Sequence, residues 1–211
     1  GRAEALRGDA ARNLRAWRRL RRPLREVVDA AGAAAVAAAA ARADAVVDAL
    51  FGTGLNSPVQ GLAATLIEII NTCGAPVLAV DPPSGLDADR GQPLGIAVQA
   101  EATATFGFAK LGQVQHPGVR HCGALAVVDI GLAETAVAAV PARAALLEAA
   151  DAARLVPRRD AEAHKGDCGH VLIIAGSHGH TGAAQLAARG AGRAGAGLVT
   201  VVAPASLYPV Y

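Results

Sequence analysis

The chain has 211 residues and a formal net charge of +2, a length that suits one large domain, or one domain and part of another. Hydrophobic residues make up 53% and aromatic residues only 3%, so the core must be built from valine, leucine, isoleucine and alanine. No apolar stretch is long enough to span a bilayer, and three widely spaced cysteines favour a reduced cytoplasm over a disulfide framework: Cys73, Cys122 and Cys168.

The first 25 residues carry most of the positive charge, with nine arginines against Glu4 and Asp9. Such an arm can contact nucleic acid, act as an Arg-rich transit peptide, or form the solvated face of a helix. The solvated face is the favoured interpretation, because only Trp17 is available to stack a base and hydroxyl residues are almost missing from the arm.

Three apolar residues within this arm, Leu14, Trp17 and Leu20, recur at helical spacing, which predicts that they face a core. After them, residues 25–28 are consistent with a strand. Residues 30–43 are rich in alanine, which either predicts a helix or reflects only the amino-acid composition that a GC-rich genome favours.

A carboxylate inside an apolar run comes next. Residues 45–50 have the length of a buried strand and contain Asp48, whose burial costs roughly several kcal/mol unless a cation or hydrogen-bond donors meet it. Residues 52–58 form a loop rich in glycine and turn formers. Residues 61–72 carry apolar side chains on one helical face, and residues 76–80 predict a second strand.

Two strands joined through a helix are parallel, because such crossovers are right-handed. The loops that follow them then lie at the same edge of the sheet, where ligands of open α/β sheets bind. Since the second strand runs into Asp81 and Ser84, we expect Asp48, the 52–58 loop, Asp81 and Ser84 to converge.

Further strands are predicted at residues 102–106 and 123–131. Lys110 lies just past the first of them and reaches the same edge as Asp81 if that strand is also parallel. A P-loop nucleotidase is not indicated, because the chain has no GxxxxGK[ST] pattern. A calcium loop beginning at Asp87 fails because the closing glutamate and the turn glycine are both replaced.

Residues 132–163 change character and predict a connection between two domains, and a second unit starts at His164. Its strand, helix and strand are predicted at residues 171–175, 183–194 and 198–204. The glycine loop before the helix is suited to an anion, but it is not a GxGxxG dinucleotide loop. Four histidines and Cys168 lie in this segment and could indicate a zinc site. Their spacing matches no common zinc pattern, however, so an anion-binding glycine loop is the favoured interpretation.

Taken together, the motifs resemble a known family. Four segments of the chain resemble motifs in the N-terminal epimerase domain of bifunctional NAD(P)H-hydrate repair enzymes: VVDALFGTGL, VLAVDPPSGLDADRG, TFGFAKLG and GALAVVDIGL. A fifth segment, HKGDCGHVLIIAGSHGHTGAA, resembles the beginning of the C-terminal, ADP-dependent dehydratase domain of these enzymes. The two domains stand in the family's order, and the resemblance runs from about Asp9 onward.

The resemblance implies an α/β fold with a three-layer α/β/α Rossmann-like epimerase domain over residues 1–135. The family's asparagine-rich loop NNGGDG is missing from the chain, so this domain is expected to be N-terminally incomplete, in an internal fragment of a longer parent. A linker at 136–162 would lead to residues 163–211, the first β-α-β unit of a ribokinase-like domain that lacks its catalytic GTGD segment. Pro82 stands where the family usually has an aliphatic residue.

The resemblance also implies a function, the repair of NADH-hydrate and NADPH-hydrate in the cytoplasm. The epimerase interconverts their R and S forms, and the dehydratase removes water from the S form with ADP or ATP and Mg²⁺. Epimerisation can pass through loss and return of hydroxide, which needs a positioned acid or base. The full-length parent is expected to be a homo-oligomer.

Site residues carried over from the family fall into three groups. The K⁺ ligands are Asp48 and Ser84. Substrate contacts are Gly52, Thr53, Gly54, Leu55, Asn56, Ser57, Pro58, Asp81, Gly182 and Ala183. Asp81 and Lys110 are the candidate catalytic residues.

Two alternatives of other classes stay open. One is a non-catalytic RNA-binding and dimerisation scaffold, since epimerase-like domains occur in mRNA-decapping proteins and the arginine arm suits RNA. The other is a ribokinase-like small-molecule kinase, indicated by residues 164–184 alone.

Overall fold

A computed structural model describes residues 1–142 and 144–211, which form two compact units, Gly1–Ala145 and Leu146–Tyr211. The elements of the first unit are α1 (Gly8–Arg19), α2 (Ala30–Ala40), β1 (Val46–Asp48), α3 (Gly61–Thr72), β2 (Val77–Val80), β3 (Ala102–Phe106), α4 (Leu111–Val114), α5 (Val119–Cys122), β4 (Ala124–Val128) and α6 (Glu134–Ala138). Those of the second are α7 (Ala149–Leu155), β5 (His170–Ile174), α8 (Thr181–Ala194) and β6 (Leu198–Val202). Short 3₁₀ helices cover Ala3–Ala5 and Ala205–Val210.

The first unit is organised around a four-stranded sheet in the order β1-β2-β3-β4, and every pair is parallel. Val46 pairs with Val77 and Asp48 with Ala79, so β1 and β2 run in register. All four strands therefore end at one edge, as the strand-helix-strand pattern predicts. An α/β fold with a parallel sheet is confirmed.

One face of this sheet is packed against α3, whose bounds agree with the prediction of residues 61–72. Ile67 and Ile70 lie in one cluster with Val77 and Ala79 of β2. The helix α2 packs against α3 in turn. The side chain of Asp29 caps α2 by accepting a hydrogen bond from Gly32 N at 2.8 Å.

The opposite face of the sheet is apolar and accessible. By register it carries Val47, Leu78, Phe106 and Val128, of which Val47 is 61% exposed and the others 39%. Among the described residues the sheet and one helical layer are present, so the expected third layer is not formed by them. We call these four residues the open sheet face.

Two predictions for the arginine arm are wrong. Trp17 and Leu20 are 45% and 66% exposed, and no residue of α1 is buried. Helical spacing identifies an apolar face, but burial also needs a surface to cover it, which the described residues do not supply. Residues 25–28 form no strand, and instead Gly1 N donates to Val27 O and Ala3 N to Glu26 Oε1.

The second unit is built on the parallel pair β5 and β6, connected through α8. The helix begins at Thr181, two residues before the predicted start, and ends at Ala194; the capping residue Gly195 has φ of +116°, a left-handed conformation that glycine allows. The predicted domain boundaries at 135 and 163 stay predictions. Among the described residues, no helix is both long and apolar enough to cross a membrane.

The buried thiol of Cys122 gives a first testable prediction. Burial raises its pKa to about 11 from the ordinary 9.0, a shift that a hydrogen bond with Thr103 partly offsets. We expect a thiol-directed alkylating reagent at pH 8 to modify the partly exposed Cys73 and Cys168 and to spare Cys122 until denaturant is added. Peptide mass mapping measures this, and modification of Cys122 in the folded chain would contradict it.

The same shift sets a pH dependence. Because the folded state keeps the Cys122 proton to higher pH than the unfolded state, its contribution to the free energy of unfolding is fully present below pH 9. That contribution is lost as the pH rises through about 11.

Candidate functional site

The ion pair between Asp81 and Lys110 lies at the carboxyl edge of the first unit's sheet. Lys110 Nζ donates to Asp81 Oδ1 at 2.5 Å, and the two side chains are 17% (Asp81) and 21% (Lys110) exposed. Two strands hold the pair together, since Asp81 follows β2 while Lys110 comes after β3, and Asp81 N donates to Ala104 O of β3 at 2.9 Å. A largely buried pair is positioned more firmly than a surface salt bridge.

Asp81 itself has a left-handed backbone, with φ of +65°. Aspartate tolerates this region better than most residues with a side chain, but it still stores strain of about 1 kcal/mol or more. The conformation turns the chain sharply at the end of β2. A side-chain atom added at Gly52 would lie 4.0 Å from Asp81 Oδ2, so this second carboxylate oxygen faces the glycine loop.

Asp48 is 1% exposed, and its buried carboxylate is met by donors from a distant loop. Ser84 Oγ donates to Oδ1 at 2.7 Å and Ser84 N donates to Oδ2 at 2.7 Å. Leu50 N is 3.3 Å from Oδ1. These bonds offset much of the desolvation cost predicted from the sequence, but they bring no positive charge.

Ser84 is held in turn by its neighbours. Phe51 N donates to Ser84 Oγ at 2.8 Å, which ties the loop after β1 to the loop after β2. Val98 N donates to Ser84 O at 2.9 Å. Gly85, with φ of +92°, lies so close to Ile96 that an added Cβ would stand 2.0 Å from the carbonyl oxygen of Ile96.

The glycine loop is open to solvent beside these groups. Its members Gly52, Thr53, Gly54, Asn56, Ser57 and Pro58 are exposed, and only Leu55 is partly buried. The start of the loop lies near both groups, since Phe51 N donates to Ser84 Oγ and a Cβ added at Gly52 would lie 4.0 Å from Asp81 Oδ2. The structure therefore brings Asp48, Ser84, Asp81, Lys110 and this loop to one edge, while their roles stay predictions.

The second unit holds the two remaining predicted site residues. Gly182 and Ala183 lie exposed in the first turn of α8. The loop before them is folded by a bond from His180 N to Ser177 O at 2.9 Å. Within the described part of the chain, no three His, Cys, Asp or Glu side chains are grouped to hold a metal ion.

Comparison with known proteins places the chain. A family model described as YjeF-related protein N-terminus matches residues 1–112. The chain belongs to this family. That match spans β1 to β3, and with them every predicted site residue of the first unit. It confirms the resemblance of this part of the chain to the N-terminal domain.

Several proteins similar to this chain are named bifunctional NAD(P)H-hydrate repair enzymes. The one from Moorella thermoacetica is 43% identical over 203 residues, covering 96% of this chain and 38% of the relative. Those from Coxiella burnetii and Thermofilum pendens are 42% and 40% identical, covering 80% and 87% of this chain and 35% and 34% of the relatives. The chain thus spans less than two fifths of the length of the relatives it matches.

Two residues of the site were missed from the sequence. Thr105 Oγ1 donates to Asp81 Oδ1 at 3.0 Å and accepts from Lys110 Nζ at 2.8 Å. Phe106 O accepts from the same Nζ at 2.9 Å. The only signal was the alternation of ATATF, which predicts the strand but not that a hydroxyl on it contacts an ion pair.

Asp87, for which the sequence analysis rejects a calcium-binding role, has a structural role. Its Oδ1 accepts from Asp89 N at 2.9 Å and Arg90 N at 3.0 Å, which closes a turn. The hydrogen bond from Arg90 N, followed by that from Asp89 N, lowers the pKa of Asp87. A surface turn is the account that these contacts support.

Proposed function

We propose that the first unit binds NADH-hydrate or NADPH-hydrate at this edge of the sheet and interconverts the R and S forms. The observation that carries the proposal is the position of Asp81. Lys110 occupies its Oδ1, while its Oδ2 faces the exposed glycine loop. Glycine amides can approach a pyrophosphate closely, which would place the nicotinamide end of the nucleotide beside Oδ2.

The reacting atom in such a hydrate is C6 of the reduced ring, which carries a hydroxyl group. After its carboxylate has taken up a proton from solvent at Oδ2, Asp81 passes this proton to the hydroxyl as the C6–O bond breaks, so that water leaves and the ring nitrogen stabilises the cation. Water then adds to the opposite face of C6 and returns its extra proton to Asp81. Lys110 balances the negative charge that Asp81 carries between the two steps.

The residues around Asp48 fit a monovalent cation. Asp48 is buried and forms no ion pair among the described residues, so its negative charge lacks a positive partner. Ser84 Oγ is 2.7 Å from its Oδ1, and Phe51 O is 3.4 Å from the same hydroxyl, which gathers oxygen ligands around the charge. Asp48 and Ser84 would hold K⁺, which when bound would balance Asp48 and stiffen the loop at Phe51.

For the second unit we propose the start of a ribokinase-like dehydratase domain, with residues 136–162 as the linker. Its β5-α8-β6 unit and the loop before Gly182 and Ala183 support this, and removal of water from the S form would need ADP or ATP with Mg²⁺. A cytoplasmic location and a homo-oligomeric parent belong to the same proposal.

Exchange between purified R and S epimers of NADH-hydrate tests the proposal. We expect the folded chain to accelerate exchange above the spontaneous rate in potassium and to lose most of this effect in sodium. Chromatographic separation of the epimers over time measures the rate. A cooperatively melting chain that leaves the rate unchanged in both salts would contradict the proposal.

A matched variant separates the effect of the proposed cation site from that of the proposed acid, Asp81. Ser84→Ala removes one oxygen ligand of the proposed K⁺ and one hydrogen bond to Asp48, but leaves Asp81 untouched. The response to potassium should fall, and the midpoint of thermal unfolding should also fall, since losing a partner of a buried carboxylate costs about 1–3 kcal/mol. An unchanged potassium response in this variant would remove Ser84 from the cation site.

A further inference from the structure

We propose that Thr105 is a positioning residue that fixes both partners of the Asp81–Lys110 pair, and that Lys110 acts only through Asp81. The inference rests on the proposed epimerase function of the first unit. It adds a third residue to the site and narrows the role of Lys110 from an acid or base to a positioning group.

The hydroxyl of Thr105 is hydrogen-bonded to both partners of the pair. Thr105 is 0% exposed, and its Oγ1 carries a single hydrogen. That hydrogen goes to Asp81 Oδ1 at 3.0 Å, and a lone pair accepts from Lys110 Nζ at 2.8 Å. Because a β-branched side chain has few rotamers in a strand, the sheet itself sets the direction of this hydroxyl.

The ammonium group of Lys110 donates all of its hydrogens within the site. It has three hydrogens, and three acceptors surround it: Asp81 Oδ1 at 2.5 Å, Thr105 Oγ1 at 2.8 Å and Phe106 O at 2.9 Å. No hydrogen of Lys110 is left for a substrate. Asp81 Oδ2 is therefore the atom of the pair that meets the ligand, and Thr105 with Lys110 holds it in place.

Strand β3 provides a control for the alternative that Thr105 only stabilises the fold as a buried residue and does not position the pair. Thr103 lies two residues earlier on the same face, is 1% exposed, and donates from Oγ1 to Cys122 O at 2.7 Å. Thr103→Val loses one buried hydrogen bond and leaves the Asp81–Lys110 pair untouched, whereas Thr105→Val loses the bonds to both partners of the pair. A purely structural role predicts the same behaviour from both variants.

Nuclear magnetic resonance of the ¹⁵N-labelled full chain can detect the hydrogen-bonded ammonium group of Lys110 without an activity measurement. The chain has only two lysines, and Lys165 is exposed, so a slowly exchanging ammonium resonance that is lost in Lys110→Arg belongs to Lys110. We expect this resonance in the unmodified chain, in Thr103→Val and in Thr105→Ser, which restores the hydroxyl. In Thr105→Val the solvent exchange of these protons should be at least about tenfold faster, because one acceptor is gone.

Epimer exchange supplies the second readout. Thr105→Val should lower kcat about 10- to 100-fold with KM changed less than about threefold, since a displaced Asp81 affects the reacting geometry more than binding. Thr105→Ser should recover most of the rate. Thr105→Ala repeats both measurements if Thr105→Val does not fold.

Two results would overturn the inference: no protected Lys110 resonance in the unmodified chain, or a Thr105→Val chain that matches Thr103→Val in both readouts. A chain with the expected resonances but no catalysed exchange would instead refute the proposed function and leave the role of Thr105 in ordering the pair intact.

Discussion

Replacing Asp81 with asparagine is expected to lower the rate of epimer exchange by about 10²- to 10⁴-fold, the usual contribution of a positioned acid or base. Asparagine has nearly the same shape and tolerates the left-handed backbone at φ of +65°, so the turn after β2 should persist. What the variant loses is the proton transfer at Oδ2 and the charge opposite Lys110. The initial exchange rate and the thermal midpoint, measured on the same sample, separate chemistry from folding.

Asp89→Asn is the matched control for this loss of charge. Asp89 is an exposed member of the nearby turn and contacts neither Lys110 nor the glycine loop. Its variant should keep the unmodified rate. If Asp81→Asn also exchanged the epimers at the unmodified rate while remaining folded, Asp81 would not be the acid or base.

The largest effect on stability is expected at Gly85. Gly85→Ala should lower the free energy of unfolding of the first unit by about 3 kcal/mol or more, because two costs add. The residue has φ of +92°, where side chains are strained, and its new Cβ would lie 2.0 Å from Ile96 O and 2.8 Å from Ala97 Cα. Those atoms are backbone, so the chain around Ser84 must move. Urea denaturation followed by circular dichroism measures the change.

Gly74→Ala isolates the strain from the clash. Gly74 has φ of +77° but no atom within 4 Å of an added Cβ, so its variant should lose only about 1–2 kcal/mol. Equal losses from the two variants would mean that close approach of the backbone at Gly85 contributes nothing. We also expect Gly85→Ala to weaken the potassium response, since Ser84 is its direct neighbour.

The framework of the first unit was predictable because its signals are local. The bounds of α3 follow from apolar spacing between a turn and a glycine, and the parallel order of β1 and β2 follows from the handedness of crossovers. The same reasoning placed Asp48, Ser84 and Asp81 at one edge. It also identified Asp48 as a costly group that needed partners.

The partners themselves could not be read from the sequence. Ser84, 36 residues away from Asp48, donates with both its hydroxyl and its amide, a geometry that exists only once β1 and β2 are aligned. The role of Thr105 was hidden for the same reason. Conversely, Trp17 had the spacing of a core residue but is 45% exposed, because spacing says nothing about what lies opposite.

The open sheet face of Val47, Leu78, Phe106 and Val128 changes how foldedness can be assayed in this chain. Accessible apolar side chains across neighbouring strands are the kind of surface to which the dye anilinonaphthalene sulfonate binds, and such fluorescence is ordinarily a sign of a molten globule. Here a natively packed molecule presents that surface itself. Dye emission alone therefore cannot distinguish loose packing from native structure, whereas near-ultraviolet circular dichroism and a cooperative melt can.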